Sequence, residues 1–293
     1  HYPLRRQRQM CIRDSPYSVS EEMLREIEEK SKKLALGLNV KGLLNIQFAI
    51  KDEELFILEA NPRASRTMPF VAKVTGNQII KAGTLLMLGY SIDEVRNKTK
   101  YLSSSSNKVA IKKAIFPWSR FPAEDTMLGP EMKATGEVLG VGKEFGTALN
   151  KAYAAAGVEI NNKEKGIFVT LSDSEKPNFI KTVNKYLELG FTLYSTEGTG
   201  KFLKTNGIDS VIVGKADDLG QTSLTIIEDK LVSLVINTPT YANELSDGWK
   251  IRRLSHETGV AVVSSVREAD AFIEAFLNQN LVLDDLEVIQ DVS

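Results

Sequence analysis

Gln47, Glu59 and Asn61 are the residues whose types and spacing point most directly to metal chemistry. Glu59 and Asn61 stand two apart, and residues so spaced on a strand face one side. Gln47 lies on an earlier apolar run, "GLLNIQFAI", separated from "LFILEA" by Lys51, Asp52, Glu53 and Glu54. Antiparallel pairing across a loop of about four residues would set all three side-chain oxygens on one face. Hard cations such as Mg²⁺ take carboxylate, amide and phosphate oxygens, and Mg²⁺ keeps few protein carboxylates while substrate phosphates fill its other positions. Arg63 and Arg66 follow at once, on a stretch that Pro62 and Pro69 bracket and that is expected to be irregular. Guanidinium forks beside a metal suit a transferring phosphoryl group, whose reaction is mainly positioning and charge neutralisation. On the residues alone, the same groups also fit ordinary polar positions at strand ends.

A second set lies further on. Lys176 follows "SDSE", Thr196, Gly198, Thr199 and Gly200 sit in "STEGTGK", and Lys215 closes "SVIVGK". Each falls where a strand gives way to a helix, and such junctions present backbone N–H groups and a positive helix end to an anion. Two hydroxyls, glycines that admit close approach and two lysines would together cradle one phosphate. Singly, each is also an ordinary turn residue or an exposed lysine. Histidine and cysteine chemistry has little material: the chain holds His1, His256 and Cys11 alone of these types. A Ser-His-Asp triad, a Cys-rich zinc site and an internal disulfide are therefore excluded as organising features.

The elements that must position these groups fall into two patterns. From Ser18 or Ser20 a capped amphipathic helix runs to Gly37, the two apolar runs make a hairpin, and a helix is expected from Phe70 to Leu88. A strand through "KVAIKKAIF", a loop-rich stretch around Gly129, Pro130, Gly136, Gly140 and Gly142, and a helix closing on Gly157 follow. After a polar linker, "IFVTLS", "FTLYS", "SVIVG", "LVSLVIN" and "VAVVSS" alternate with helices near 176–189, 199–206, 220–229, 249–258 and 267–278. Strict alternation specifies a parallel sheet with right-handed crossovers. The expected class is thus α/β, an antiparallel sheet with helices followed by a Rossmann-like parallel-sheet domain.

Length and charge agree with that division. At roughly 150 residues per domain, 293 residues make about two domains. Thirty-seven Lys and Arg against 38 Asp and Glu leave a formal charge of -1, so no bulk attraction to nucleic acid or anionic membrane is implied. No apolar run approaches the ~18 to 20 residues that span a bilayer, and the sparse cysteine usage fits a cytoplasmic setting. Residues 1–15, with Arg5, Arg6, Arg8 and Arg13 and no apolar period, are expected to be a non-native or disordered segment. The expected domains are 16–157, a linker at 158–165, and 166–293.

Two stretches carry a family resemblance. "NIQFAIKDEELFILEANPRASRTMPFVAKVTG" is similar, almost residue for residue, to the second synthetase half of the carbamoyl phosphate synthetase large-subunit family, which is built on an ATP-grasp fold. The E-x-N-P-R core is shared among several ATP-grasp ligases, whereas "SRTMPFVAK" is narrower. The similarity continues through "FPWSRFPAEDTMLGPEMKATGEVLGVGKEFGTALNKA", with Ala134 where the family often has Ser. "STEGT", "VGK", "INT" and "DGWKIRRLS" resemble the methylglyoxal-synthase-like regulatory domain that ends the same subunit.

The resemblance implies Mg²⁺ or Mn²⁺ held on ATP by Gln47, Glu59 and Asn61, with Arg63 and Arg66 as the catalytic, phosphate-side arginines. It implies that Lys176, Thr196, Thr199, Lys215 and Asn237 hold the phosphate and sugar of a nucleotide effector such as UMP or IMP. Pro239 stands where some members have a hydroxyl, and Lys113 where some carry a Glu that helps hold an amine effector, which speaks against such an effector here. Arg252 and Arg253 are either further anion contacts or a solvated helix face, and His256 is expected to be structural, on the surface or half buried. The implied reaction is phosphorylation of carbamate by MgATP, with bicarbonate and ammonia used by the full subunit beside a glutaminase small-subunit partner, in pyrimidine or arginine synthesis. The part of an ATP-grasp fold carrying the adenine pocket is expected ahead of the first helix, so the resemblance implies one truncated catalytic lobe plus one whole regulatory domain. Three alternatives stay open: another ATP-grasp ligase such as a biotin-dependent carboxylase, a catalytically inactive nucleotide-binding module, and a free-standing methylglyoxal synthase.

Overall fold

The computed structural model describes residues 11–13, 19–99, 108–116, 136–158, 160, 166–238 and 246–278. Ala134, Pro239, Ser18 and most of the "FPWSRF…GPEMKATG" stretch lie outside them. Packing divides the described residues into two units, one within Arg13–Ala110 and one within Ile111–Leu281 joined by the start of the chain.

In the first unit, α1 (Glu21–Gly37) begins at Ser20, whose Oγ accepts from the Met23 N–H at 3.2 Å, with Glu21 and Glu22 in the opening turn. Two strands, β2 (Asn45–Lys51) and β3 (Glu54–Asn61), pair antiparallel. Their loop is two residues rather than four: Lys51 pairs with Glu54, and Asp52 and Glu53 both take positive φ, 50° and 63°. Two successive left-handed residues are the geometry of a type I′ turn, which matches the twist of the flanking strands.

The helix expected from Phe70 to Leu88 is two helices, α2 (Thr67–Thr75) and α3 (Ile79–Met87), followed by α4 (Ile92–Lys98). Gly76, at φ 68°, makes a left-handed cap that ends α2. Pro69 lies inside the first turn of α2, where its missing N–H costs nothing, so the irregular stretch ends at Arg66.

The second unit is built on five parallel strands, β6 (Gly166–Thr170), β7 (Thr192–Thr196), β8 (Val211–Val213), β9 (Val232–Asn237) and β10 (Ala261–Val263), in the order β10-β9-β6-β7-β8. Helices α6 (Lys176–Glu188), α7 (Glu197–Thr205), α8 (Thr225–Glu228), α9 (Asp247–Thr258) and α10 (Val266–Leu277) alternate with them. β6 and β9 are apolar on both faces, as covered parallel strands must be: Ile167, Phe168, Val169, Leu234, Val235 and Ile236 are fully buried. The order reverses at β6, so the crevice outside the carboxyl ends of β6 and β9 is the switch point where open α/β sheets bind ligands.

A three-stranded sheet completes the unit, with β1 (Cys11–Arg13), β4 (Val109–Ile115) and β5 (Gly136–Gly142) in the order β1-β4-β5. Three of the opening fifteen residues are thus strand. The glycines of β5 make a strand where a loop-rich stretch was expected. A Cβ on Gly140 would collide with the Ala148 carbonyl oxygen and lie 2.5 Å from the Ala152 N, so bare backbone lets α5 (Phe145–Ala155) lie directly on the sheet. α5 in turn packs on α10. Gly146 meets the Glu274 carbonyl, Tyr153 stacks edge-on to Phe272 at 4.8 Å, and the Asn150 amide donates to the Ala275 and Asn278 carbonyls at 2.8 and 3.0 Å. Helix α5, which the sequence groups with the hairpin, therefore belongs by packing to the parallel-sheet unit.

Candidate functional site

The hairpin oxygens meet because of one extra residue. From the turn outward the pairs run Ile50 to Leu55, Ala49 to Phe56 and Phe48 to Ile57, and the next pair is Gln47 to Glu59. Leu58 is the residue left over, and a bulge at that point shifts the register by one. Without it Gln47 would face Leu58, and Glu59 would fall on the opposite side of the ribbon. With it, Gln47 lies across from Glu59 and Asn45 across from Asn61. The Asn61 Nδ2 donates to Glu59 Oε1 at 2.8 Å, which leaves the other carboxylate oxygen and the Asn61 Oδ1 to face a ligand. Gln47 and Glu59 are exposed and Asn45 and Asn61 half buried.

One carboxylate with amide oxygens is a donor set suited to a hard divalent cation whose remaining positions are phosphate oxygens. Among the described residues no group of three or more His, Cys, Asp and Glu could hold a metal, so any cation here depends on amide oxygens. Arg63 and Arg66 lie on the exposed turn between β3 and α2. The Arg63 N–H donates to the Asn61 carbonyl at 2.8 Å and its guanidinium to the Ala64 carbonyl at 3.0 Å, which ties the turn to the end of β3. Asn45 was not among the residues read from the sequence; its signal is only its position two before Gln47.

The second site forms along the carboxyl ends of three adjacent strands. Thr170 ends β6, Thr196 ends β7 and Asn237 ends β9, and Thr170 is the register partner of Asn237. The Thr196 hydroxyl lies 3.4 Å from that of Thr170 and 3.3 Å from that of Thr199. Thr196 also begins α7 without a side-chain cap, so the first N–H groups of that helix remain for another acceptor. Gly198 has nothing within 4 Å of where a Cβ would stand. Thr199 is buried, and its oxygen accepts from the Leu171 N–H at 3.1 Å, so this hydroxyl fixes the β6 loop as well as facing the cluster.

The lysines flank these strand ends. Lys176 opens α6, its side chain only 16% exposed, and its ammonium pairs with Asp173 at 2.6 Å and holds that carboxyl below its usual range. Lys215 follows β8, the strand whose Val213 is the register partner of Thr196. Glu197, in the first turn of α7, titrates below its usual range, chiefly through its bond to Lys201 and to a lesser degree through the charge of Lys215.

Asn237 is buried, and its Oδ1 accepts from Arg252 on α9 at 2.8 Å. Arg252 and Arg253 are themselves buried, at 5% and 7% exposure, which overturns the solvated helix face. Arg253 pairs with Glu257 at 2.6 Å. The sequence also passed over Thr170 and the pair formed by the Ser172 N–H and the Thr238 hydroxyl at 2.7 Å; their common signal is a hydroxyl at or just beyond a strand end.

His256, in the last turn of α9, is half buried, as expected of a structural residue. Burial, with the charges of Lys113, Arg253 and Arg252, pushes its imidazole down to about 4. Lys113 itself lies over the Tyr153 ring at 3.9 Å.

With this geometry in hand, the class of protein is an ATP-binding-domain segment followed by an MGS-like domain. The family model "Carbamoyl-phosphate synthase L chain, ATP binding domain" matches residues 2–95, which include Gln47, Glu59, Asn61, Arg63 and Arg66. The "MGS-like domain" model matches residues 178–264, which include Thr196, Thr199, Lys215 and Asn237 and begin two positions after Lys176. The chain is 39% identical over 274 residues to the carbamoyl phosphate synthase large chain, C-terminal section, of Aquifex aeolicus, covering 89% of this chain and 51% of that protein. It is 37% identical over 268 residues to the same section from Methanocaldococcus jannaschii, covering 89% of this chain and 43% of that protein. It is 40% identical over 267 residues to the carbamoyl phosphate synthase large chain of Brucella suis, covering 88% and 23%. The chain belongs to the carbamoyl phosphate synthase large-chain family and matches its carboxyl-terminal region. It spans between 23% and 51% of the length of these relatives.

Proposed function

We propose that this chain is the part of a carbamoyl phosphate synthase large chain that phosphorylates carbamate with ATP and that senses a nucleotide. The observation that carries the first half is the bulge at Leu58, which sets Gln47 opposite Glu59 with Asn61 bonded to the same carboxylate. Gln47, Glu59 and Asn61 would hold Mg²⁺ or Mn²⁺, which when bound neutralises phosphate charge on ATP. Arg63 and Arg66 supply guanidinium forks to the phosphoryl oxygens from a turn anchored to the Asn61 carbonyl. The products are carbamoyl phosphate and ADP. In the longer protein, bicarbonate and ammonia are the earlier substrates, a glutaminase small subunit is the partner, and the setting is the cytoplasm.

The row of Asn237, Thr170, Thr196 and Thr199 at the strand ends, flanked by Lys176 and Lys215, supports the second half, a site for a nucleoside monophosphate such as UMP or IMP. His256, half buried in the last turn of α9, fits a structural role, which favours binding over methylglyoxal chemistry.

Two assays test the proposal. Glu59→Gln in the holoenzyme that contains this chain is expected to abolish ADP release from MgATP and carbamate, and unchanged turnover removes the catalytic half. Calorimetric titration of the 293-residue chain with UMP and IMP tests the second half; binding with no ADP release from the chain alone identifies an inactive binding module, and no heat with either nucleotide removes the effector site.

A further inference from the structure

We infer that Arg252 is the positioning residue of the nucleotide site: it fixes the flip of the Asn237 amide so that the site presents a donor, not an acceptor, to a phosphate oxygen. The inference rests on the nucleotide reading above. Its basis is a pair of buried groups with only one chemically allowed arrangement. Arg252 Nη1 lies 2.8 Å from Asn237 Oδ1, at 5% and 3% exposure. A guanidinium carries donors alone, so it can bond the amide only through its oxygen. The Nδ2, with two N–H groups, is then left for whatever occupies the strand ends, where Thr170 is the register neighbour. Were the guanidinium removed, the amide could turn its oxygen outward, and an acceptor facing a phosphate oxygen repels it.

The surroundings hold this pair in place. Ser246 caps α9 by accepting from the Trp249 N–H at 3.3 Å, which sets the first turn of the helix against the end of β9. In that turn stands Gly248. A Cβ there would be 3.1 Å from Arg252 Nη1 and 3.5 and 3.6 Å from the Asn237 amide nitrogen and oxygen. The pair is thus roofed by bare backbone, at a contact so close that a side chain would press on the guanidinium. The ligand class selected is an anion with several acceptor oxygens, a phosphate monoester rather than a cationic or donor-rich molecule.

Calorimetry and amide NMR on the whole chain, with UMP and with inorganic phosphate, separate the possibilities. The Asn237 side-chain NH₂ signals are expected to shift on saturation with either ligand. Arg252→Met should weaken both ligands by tenfold or more and abolish the shift, and Arg252→Lys should recover part of the affinity. Asn237→Asp keeps and strengthens the pairing to Arg252, so it should fold with an unchanged or higher unfolding midpoint and still lose tenfold or more in affinity. This second variant keeps the inference testable if Arg252→Met fails to fold. Wild-type affinity in Asn237→Asp, or NH₂ signals that stay put while the native chain binds, would overturn the inference and leave the nucleotide site standing. No binding of either ligand by the native chain would overturn both.

Discussion

Glu59 is the charged member of its oxygen cluster, and its partner Asn61 needs only an acceptor oxygen from it. Glu59→Gln keeps that acceptor and removes the charge, so the loss of metal-dependent turnover is expected with little change in stability. The hydroxyl and lysine positions differ in how cleanly they can be tested. Lys176→Ala removes a cation that pairs with an exposed Asp173, and should weaken nucleotide binding by about 1 to 3 kcal/mol, the cost of a lost charged hydrogen bond, read by calorimetry. Thr199→Ala should lose affinity and also stability, about 1 to 3 kcal/mol, because it strands the buried Leu171 N–H. His256 has its own pH signature. Its folded value near 4 lies below the ordinary 6.5, so between those values the unfolded chain binds more protons than the folded one. Stability should therefore be full above pH 6.5 and fall as pH drops toward 4, by on the order of 3 kcal/mol for this group. His256→Gln should remove that part of the slope, measured by chemical denaturation across the range. These single residues were legible in sequence because carboxylate, amide, hydroxyl and ammonium chemistry belongs to residue type. The burial of Arg252 was not, since Arg on an amphipathic helix looks alike whether its face is wet or covered.

At the level of elements, two local irregularities decide what the site and the packing can be. One is the Leu58 bulge. Alternation along β3 marks which residues share a face, but a register shift by one residue is invisible in that pattern. The expected loop of four residues and the observed two-residue turn share one register, in which Gln47 would face Leu58; the bulge alone brings Glu59 across from Gln47. The other is the bare backbone of β5 and α5. Glycines read locally as loop, yet Gly140, Gly142 and Gly146 each stand where a Cβ would strike a neighbouring backbone. Gly146→Val should destabilise the chain by about 1 to 3 kcal/mol through overpacking against α10, and Asn150→Ala by a similar amount through two uncapped carbonyls. Thermal unfolding measures both. A neutral Gly146→Val would show that α5 does not sit on α10 in solution.

Across the whole molecule the two units differ in how much apolar surface they cover. α1 has no buried residue, and Ile50, Phe56, Ile57 and Leu58 on the hairpin are 44 to 52% exposed, whereas the central strands β6 and β9 of the parallel sheet are covered on both faces. A two-stranded ribbon with open apolar faces is marginal by itself. Amide hydrogen exchange should therefore be fast in β2, β3 and α1 and slow in β6 and β9, and saturation with UMP should slow β6, β7 and β9 while leaving the hairpin unchanged. Among the described residues no helix is long and apolar enough to cross a membrane, in keeping with the sequence. The sequence by itself determined the α/β class, the alternating domain and the residue types at both sites, because periodicity and side-chain chemistry are local properties of the chain. Only the tertiary structure decided that Gln47 faces Glu59, that α5 packs with the parallel sheet, and that Arg252 holds the Asn237 amide. Those depend on register, close backbone approach and burial, which arise only when residues far apart in sequence are brought into contact.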